Sequence, residues 1–124
     1  MVKILLPLFL LTGNLLMAQS KKTLDHSIYD GWKSAGERAI SNDGNYIVYA
    51  INPQEGDGET VIQNIKTGYK KNIARGYNAV ITEDNRYVML KIKPVFQDTR
   101  QAKIKKKKPE DMPRDSMVLV LLGT

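Results

Sequence analysis

Four stretches of this sequence carry side chains capable of chemistry. Asp25, His26 and Ser27 are the three side-chain types of a hydrolytic triad: a carboxylate to orient a base, an imidazole base and a hydroxyl nucleophile. Consecutive residues cannot converge on one point with a nucleophile-to-base hydrogen bond, so the trio predicts a solvated segment. Gly31-Trp32-Lys33-Ser34-Ala35-Gly36 sets a serine between glycines, but a nucleophile elbow needs Gly-x-Ser-x-Gly after an apolar strand and before a helix. Here the first glycine lies three residues before Ser34, and no apolar strand precedes it. Glu55, Asp57 and Glu59 alternate in a glycine-rich loop without the ligand order of a calcium loop, and predict a solvated turn.

The fourth stretch is Lys103, Lys105, Lys106, Lys107 and Lys108, a candidate basic contact patch for an anionic polymer or surface. No aromatic residue interleaves with the lysines to stack bases, so nucleic acid is not an expected partner. The competing reading is a solvent-exposed hairpin extension whose basic half folds near Glu110, Asp111 and Asp115. With no paired acid and base, no metal-ligand cluster and no phosphate loop, the sequence predicts no catalytic residue, no cofactor and no metal.

The elements around these stretches are organised by an internal echo. Ala39 to Tyr49 recurs 41 residues later as Val80 to Leu90. Each copy is a short apolar strand end, a hydroxyl residue (Ser41, Thr82), an acidic turn and a β-branched and aromatic run, which is a hairpin signal. The turns need a residue tolerant of positive φ, supplied by Gly44 and Asn85. Tyr46, Val48 and Ala50 alternate with Ile47, Tyr49 and Ile51, so both faces of that strand are apolar and it is expected between two sheets. A hairpin unit with a period of roughly 40–45 residues is the pattern of four-stranded propeller blades.

In this reading, strands at Arg38–Ser41, Asn45–Asn52, Thr60–Ile65 and Tyr69–Ile73 make one blade, with Lys66, Lys70 and Lys71 at an exposed edge. Gly76-Tyr77-Asn78 crosses to the next. The echo of Glu59 falls at Asp115, which implies a 15-residue insertion in the second copy. Trp32 is expected as an apolar plug where the lead-in meets the first blade.

Length and composition bound the rest: 124 residues, net charge +6, no cysteine and one histidine, so one domain and no disulfide. Lys3, the apolar run Ile4 to Leu11, and Leu15 to Ala18 before Gln19 and Ser20 form a signal-peptide pattern. Pro7, Gly13 and Asn14 interrupt the run below the ~20 residues of a membrane span, so no stable anchor is expected after cleavage near Ala18. Without Lys3, 18 basic and 13 acidic side chains remain, a net charge of +5. The expected domains are a signal peptide over 1–18, a lead-in over 19–36 and a partial propeller over 37–124. Its first blade spans about 37–76 and its second about 77–124, with the insertion at about 94–113. The expected fold class is thus all-β, an incomplete β-propeller of one four-stranded blade and most of a second, with apolar sheet faces left open.

Leu24 to Lys33, the Ile40 to Gly44 turn, Lys93 to Gln101 and Lys105-Lys106-Lys107-Lys108-Pro109-Glu110-Asp111-Met112-Pro113 together resemble the start of exported prolyl oligopeptidase family serine peptidases of Bacteroidetes-type bacteria. The resemblance spans nearly all of the chain after the leader, and the lysine run with its Pro-Glu-Asp-Met-Pro is its most specific part. It implies an exported, periplasmic or extracellular product whose propeller caps a C-terminal α/β-hydrolase domain and limits access to peptide substrates. That family's nucleophile, acid and base belong to the hydrolase domain, so neither Ser27, Ser34, Ser41 and Ser116 nor His26 inherits a role. The alternative function is an exported basic β-rich module that binds acidic polymers or surfaces through the lysine run.

Overall fold

The computed structural model describes residues 25–123. The leader expected over residues 1–18, and residues 19–24 of the lead-in, lie outside the described residues. A 3-10 turn, His26–Gly31, leads into strands β1 (Lys33–Ile40), β2 (Tyr46–Pro53), β3 (Glu59–Asn64) and β4 (Lys70–Ala74). Strands β5 (Gly76–Ile81) and β6 (Tyr87–Ile92) follow, then helix α1 (Phe96–Ile104), a short 3-10 turn at Pro109–Asp111, and strand β7 (Ser116–Leu121). The strands form two antiparallel meanders, ordered β1-β2-β3-β4 and β5-β6-β7. The molecule is therefore mostly β rather than all-β, because the insertion after β6 folds into helix. Among the described residues no helix is long and apolar enough to cross a membrane.

The echo in sequence is an echo in structure. In the first turn Ser41 Oγ donates to Asp43 Oδ1 (2.5 Å) and accepts from the Tyr46 N–H (2.9 Å), while Asp43 also accepts from the Asn45 N–H (3.0 Å). In the second, Thr82, Asp84, Tyr87 and Arg86 repeat these bonds at 2.5, 3.1 and 3.2 Å. Gly44 (φ 68°) and Asn85 (φ 56°) take the left-handed conformation that the turn demands. Both hairpins also carry a bulge. Gly36 and Glu37 lie between the pairs Ala35–Ile51 and Arg38–Tyr49, and Asn78 and Ala79 between Tyr77–Lys91 and Val80–Met89.

The first bulge explains why β1 begins at Lys33 and not at Arg38: the extra residue breaks the two-residue alternation from which a strand is recognised. The ladder also corrects the last strand by one residue. Tyr46 pairs with Asn64 and Tyr87 with Leu121, so the third-strand offset is 57, leaving an insertion of 16 residues rather than 15. A one-residue slip exchanges the two faces of a strand, and the main-chain pairing, unlike the acid-for-acid match of Glu59 with Asp115, fixes which face is which.

The core lies between the sheets, where Val48 and Ile62 of the first meet Val88, Leu90, Val120 and Leu122 of the second, with Tyr46, Ile73, Ile81 and Val118 packed around them. Each such burial contributes roughly 1.5–3 kcal/mol. Opposite faces of the repeat meet here. The first sheet presents its Tyr46-Val48-Ala50 face, whereas the second presents Val88-Leu90-Ile92, the counterparts of Ile47-Tyr49-Ile51. Counterparts also touch: the Glu37 carboxylate accepts the Asn78 N–H (2.7 Å), and Asn42 Nδ2 donates to the Glu83 carbonyl (3.3 Å). The sheets thus stack front to back, with unlike faces of the repeat in contact.

A direct consequence is that some equal positions have opposite burial. Val48 and Ile62 are 2% and 3% exposed, and their counterparts Met89 and Leu119 are 39% and 56% exposed. Val80, Met117 and Leu121 extend that apolar patch across all three strands of the second sheet. Trp32 is not a plug. The residue is 55% exposed and its ring packs edge-on against Tyr29, since residues three apart in a 3-10 turn eclipse one another, while its carbonyl accepts from the Gln54 N–H (3.0 Å).

Candidate functional site

The loop between β2 and β3 and the insertion after β6 project from the same end of the stacked sheets and enclose a crevice of about 740 Å³. Pro94 follows β6, and α1 starts with no side-chain cap of its own. Asp57 supplies one from the first sheet's loop, its Oδ1 accepting the Phe96 N–H at 3.0 Å, and Glu55 Oε1 pairs with Arg100 Nη1 at 3.0 Å. Glu59 accepts from Asn72 Nδ2 (2.9 Å). Glu55 and Asp57 of this loop are thus the dock on which the helix is seated, and not only part of a solvated turn. Their partners lie 39 and 45 residues away, and no local pattern announces them.

At the far end of the insertion the Tyr77 hydroxyl donates to the Asp115 carboxylate, and this bond is the main reason that the Tyr77 phenol is held above its ordinary value. Lys93 Nζ lies 5.0 Å from the centre of the Tyr77 ring, and the Lys93 backbone is tied to Arg75, whose Nη1 donates to its carbonyl at 3.2 Å. Arg75 is the single residue between β4 and β5 and takes positive φ (61°), so the crossing is shorter than the sequence suggests.

The lysine run closes α1. Lys106 takes positive φ (49°), its N–H bonding the Lys103 carbonyl (3.0 Å) and the Lys107 N–H that of Ala102 (3.1 Å), a Schellman ending. Cationic side chains there lie against the negative end of the helix dipole. This corrects the hairpin extension: the basic half is a helix end, because nine residues from Phe96 to Ile104 contain no Gly or Pro and Ala102 is buried beneath them. The acids do not neutralise the lysines either. Among the described residues only Lys108 has a carboxylate within reach, Glu110 at 3.9 Å, and both are exposed. Lys103 faces the crevice beside Arg75, Lys93 and Arg100; Lys105, Lys106, Lys107 and Lys108 do not line it.

Among the described residues no serine or histidine lines the crevice, and its acids Glu55, Asp57 and Asp115 are each engaged by a donor. Elsewhere, Ser41 is buried in its turn, Ser34 Oγ donates to the Asn52 carbonyl (3.3 Å), and Ser27 and Ser116 are exposed. His26 packs edge-on against Tyr29. Among the described residues no three His, Asp or Glu side chains gather as a metal site. The arrangement can seat a ligand or a neighbouring domain. Comparison with protein-family models, with curated protein sequences and with solved structures returned no match.

Proposed function

We propose that this chain is the N-terminal β-propeller portion of an exported prolyl oligopeptidase family serine peptidase, with residues 33–74 and 76–121 forming its first two blades. It performs no chemistry alone. In this reading the propeller gates peptide access to a C-terminal α/β-hydrolase domain that carries the nucleophile, acid and base, and the crevice end belongs to the surface where insertions between strands meet neighbouring parts. The observation that carries the reading is the front-to-back stacking of two equivalent sheets, with Glu37 against Asn78 and Asn42 against Glu83, each pair 41 residues apart. Sheets that stack front to back, each with two apolar faces, are what a ring of blades requires.

Reading the coding DNA beyond the codon for Thr124 tests the proposal. Further hairpin units followed by Gly-x-Ser-x-Gly are expected, and a terminator with no such units overturns it. As a companion result, a fluorophosphonate serine-hydrolase probe leaves this chain unlabelled. A second reading, a binding module for acidic polymers, draws on the five lysines, four of which have no carboxylate partner among the described residues. Salt-sensitive retention on heparin that disappears when Lys105 to Lys108 are changed to Gln would favour it.

A further inference from the structure

We infer that the crevice between the β2–β3 loop and α1 binds a single carboxylate borne on an apolar body, the chemistry shared by a free organic acid and by the C-terminal end of a short peptide. The inference goes beyond the peptidase reading and does not rest on it. Both walls and the floor of the crevice belong to residues 52–115, so the chemistry it accepts is set there, whatever follows Thr124.

One wall is fixed by a chain of contacts at the ends of β4, β5 and β6. Arg75 Nη1 donates to the Lys93 carbonyl (3.2 Å), Lys93 Nζ lies 5.0 Å from the centre of the Tyr77 ring, and the Tyr77 hydroxyl donates to the Asp115 carboxylate. The other wall is one face of α1, since Phe96, Thr99, Arg100 and Lys103 recur at helical spacing and all line the crevice. That helix is held by Asp57 at its start and by Glu55 on Arg100.

The acids of the crevice are engaged from within the chain, and three of its cations are not. Glu55 is ion-paired, Asp57 accepts a main-chain N–H at the positive end of α1, and Asp115 accepts the Tyr77 hydroxyl. Arg75, Lys93 and Lys103 form no ion pair among the described residues. Four basic side chains line the crevice against three acidic ones, so one negative charge on a ligand balances it. A carboxylate also suits the remaining N–H groups of the Arg75 guanidinium. Pro53, Pro94, Phe96 and the Tyr77 ring offer apolar surface to the rest of such a ligand. A volume of about 740 Å³ lies within the range of small-molecule sites, roughly 300–1,000 Å³.

An NMR titration of the isotope-labelled full chain at low salt tests this with three probes: N-acetyl-alanyl-phenylalanine, its C-terminal amide, and phenylpropionate. Saturable shifts of the Gly56, Tyr77 and Lys93 amides are expected with an acid, and binding about tenfold weaker with the amide, which lacks the charge. Whichever acid binds more tightly names the source, a peptide end or a free acid. Lys93→Gln and Lys103→Gln should each weaken binding of that acid about three- to fivefold and leave the amide unchanged. Lys107→Gln, at a position that does not line the crevice, should alter neither. Acid and amide binding alike, no binding of either acid, or an equal loss in Lys107→Gln overturns the inference. None of these outcomes bears on the peptidase reading, which the DNA beyond Thr124 decides.

Discussion

The two sheets carry the same hairpin, bulge and acidic turn, yet Ile62 of the first is buried and Leu119, its counterpart in the second, is solvated. Nothing in the side chains accounts for that, since both are large aliphatics on matched strands. What differs is the side on which each sheet has a neighbour. In a front-to-back stack every unit has a front and a back, and here the outer side of the second sheet, with Val80, Met89, Met117 and Leu119, is uncovered. Burial here is a property of position in the stack, and so are the energies attached to it.

The sharpest way to break the comparison is to truncate matched residues. Ile62→Ala should cost about 2–5 kcal/mol, and Leu119→Ala less than about 0.5 kcal/mol, read as urea midpoints at constant m-value. Equal losses would mean that the second sheet's outer face is covered after all. Gly76→Ala comes next. An added Cβ would lie 2.6 Å from Leu90 Cδ1 and 3.0 Å from Thr60 Oγ1, so a loss of roughly 1–3 kcal/mol is expected. At the matched position the first sheet already carries Ala35 at an exposed site, and Ala35→Gly should cost less than Gly76→Ala by the same assay.

Smaller effects sharpen the picture at the crevice and in the turns. Asp57→Ala removes the cap that the first sheet lends to α1 and should cost about 1 kcal/mol. The loss would be seen as faster tryptic cleavage within Lys103 to Lys108, with the sheets' own melting little changed. The smallest expected effect is acid sensitivity shared by the two turns. Asp43 lies below the ordinary carboxylate value mainly through the Ser41 hydroxyl and then the Asn45 N–H, and Asp84 likewise through Thr82 and Arg86. A carboxylate depressed in the folded state contributes fully above its unfolded value of about 3.9 and loses that contribution as pH falls through its folded value. Asp43→Asn and Asp84→Asn should each flatten the acid limb of a Tm–pH profile by similar amounts; a profile that responds to one only would show that the turns are alike in sequence but not in energy.

Much of the β architecture was legible because its causes are local. Gly44 and Asn85 announce positive φ, Ser41 and Thr82 announce the hydroxyl that ties each turn, and alternation marks Tyr46 to Ile51 as a strand with two apolar faces. The bulges were not legible, because a residue that breaks alternation looks like the end of a strand. Nor was the crevice, whose parts come from loops 39 to 45 residues apart and whose acids resemble any polar turn until α1 arrives to be capped. The lysine run was visible as charge, but not as the ending of a helix, since that role depends on the turn preceding it being helical.

The sequence by itself determined the repeat, the turn chemistry and the charge of the insertion, all of which follow from neighbours within a few residues. Only the tertiary structure decided which face of each sheet is dry, by how many residues β7 is displaced, and what Glu55, Asp57 and Tyr77 hold. The reason is that a strand with two apolar faces fits a neighbour on either side, and the choice is made by whatever packs against it.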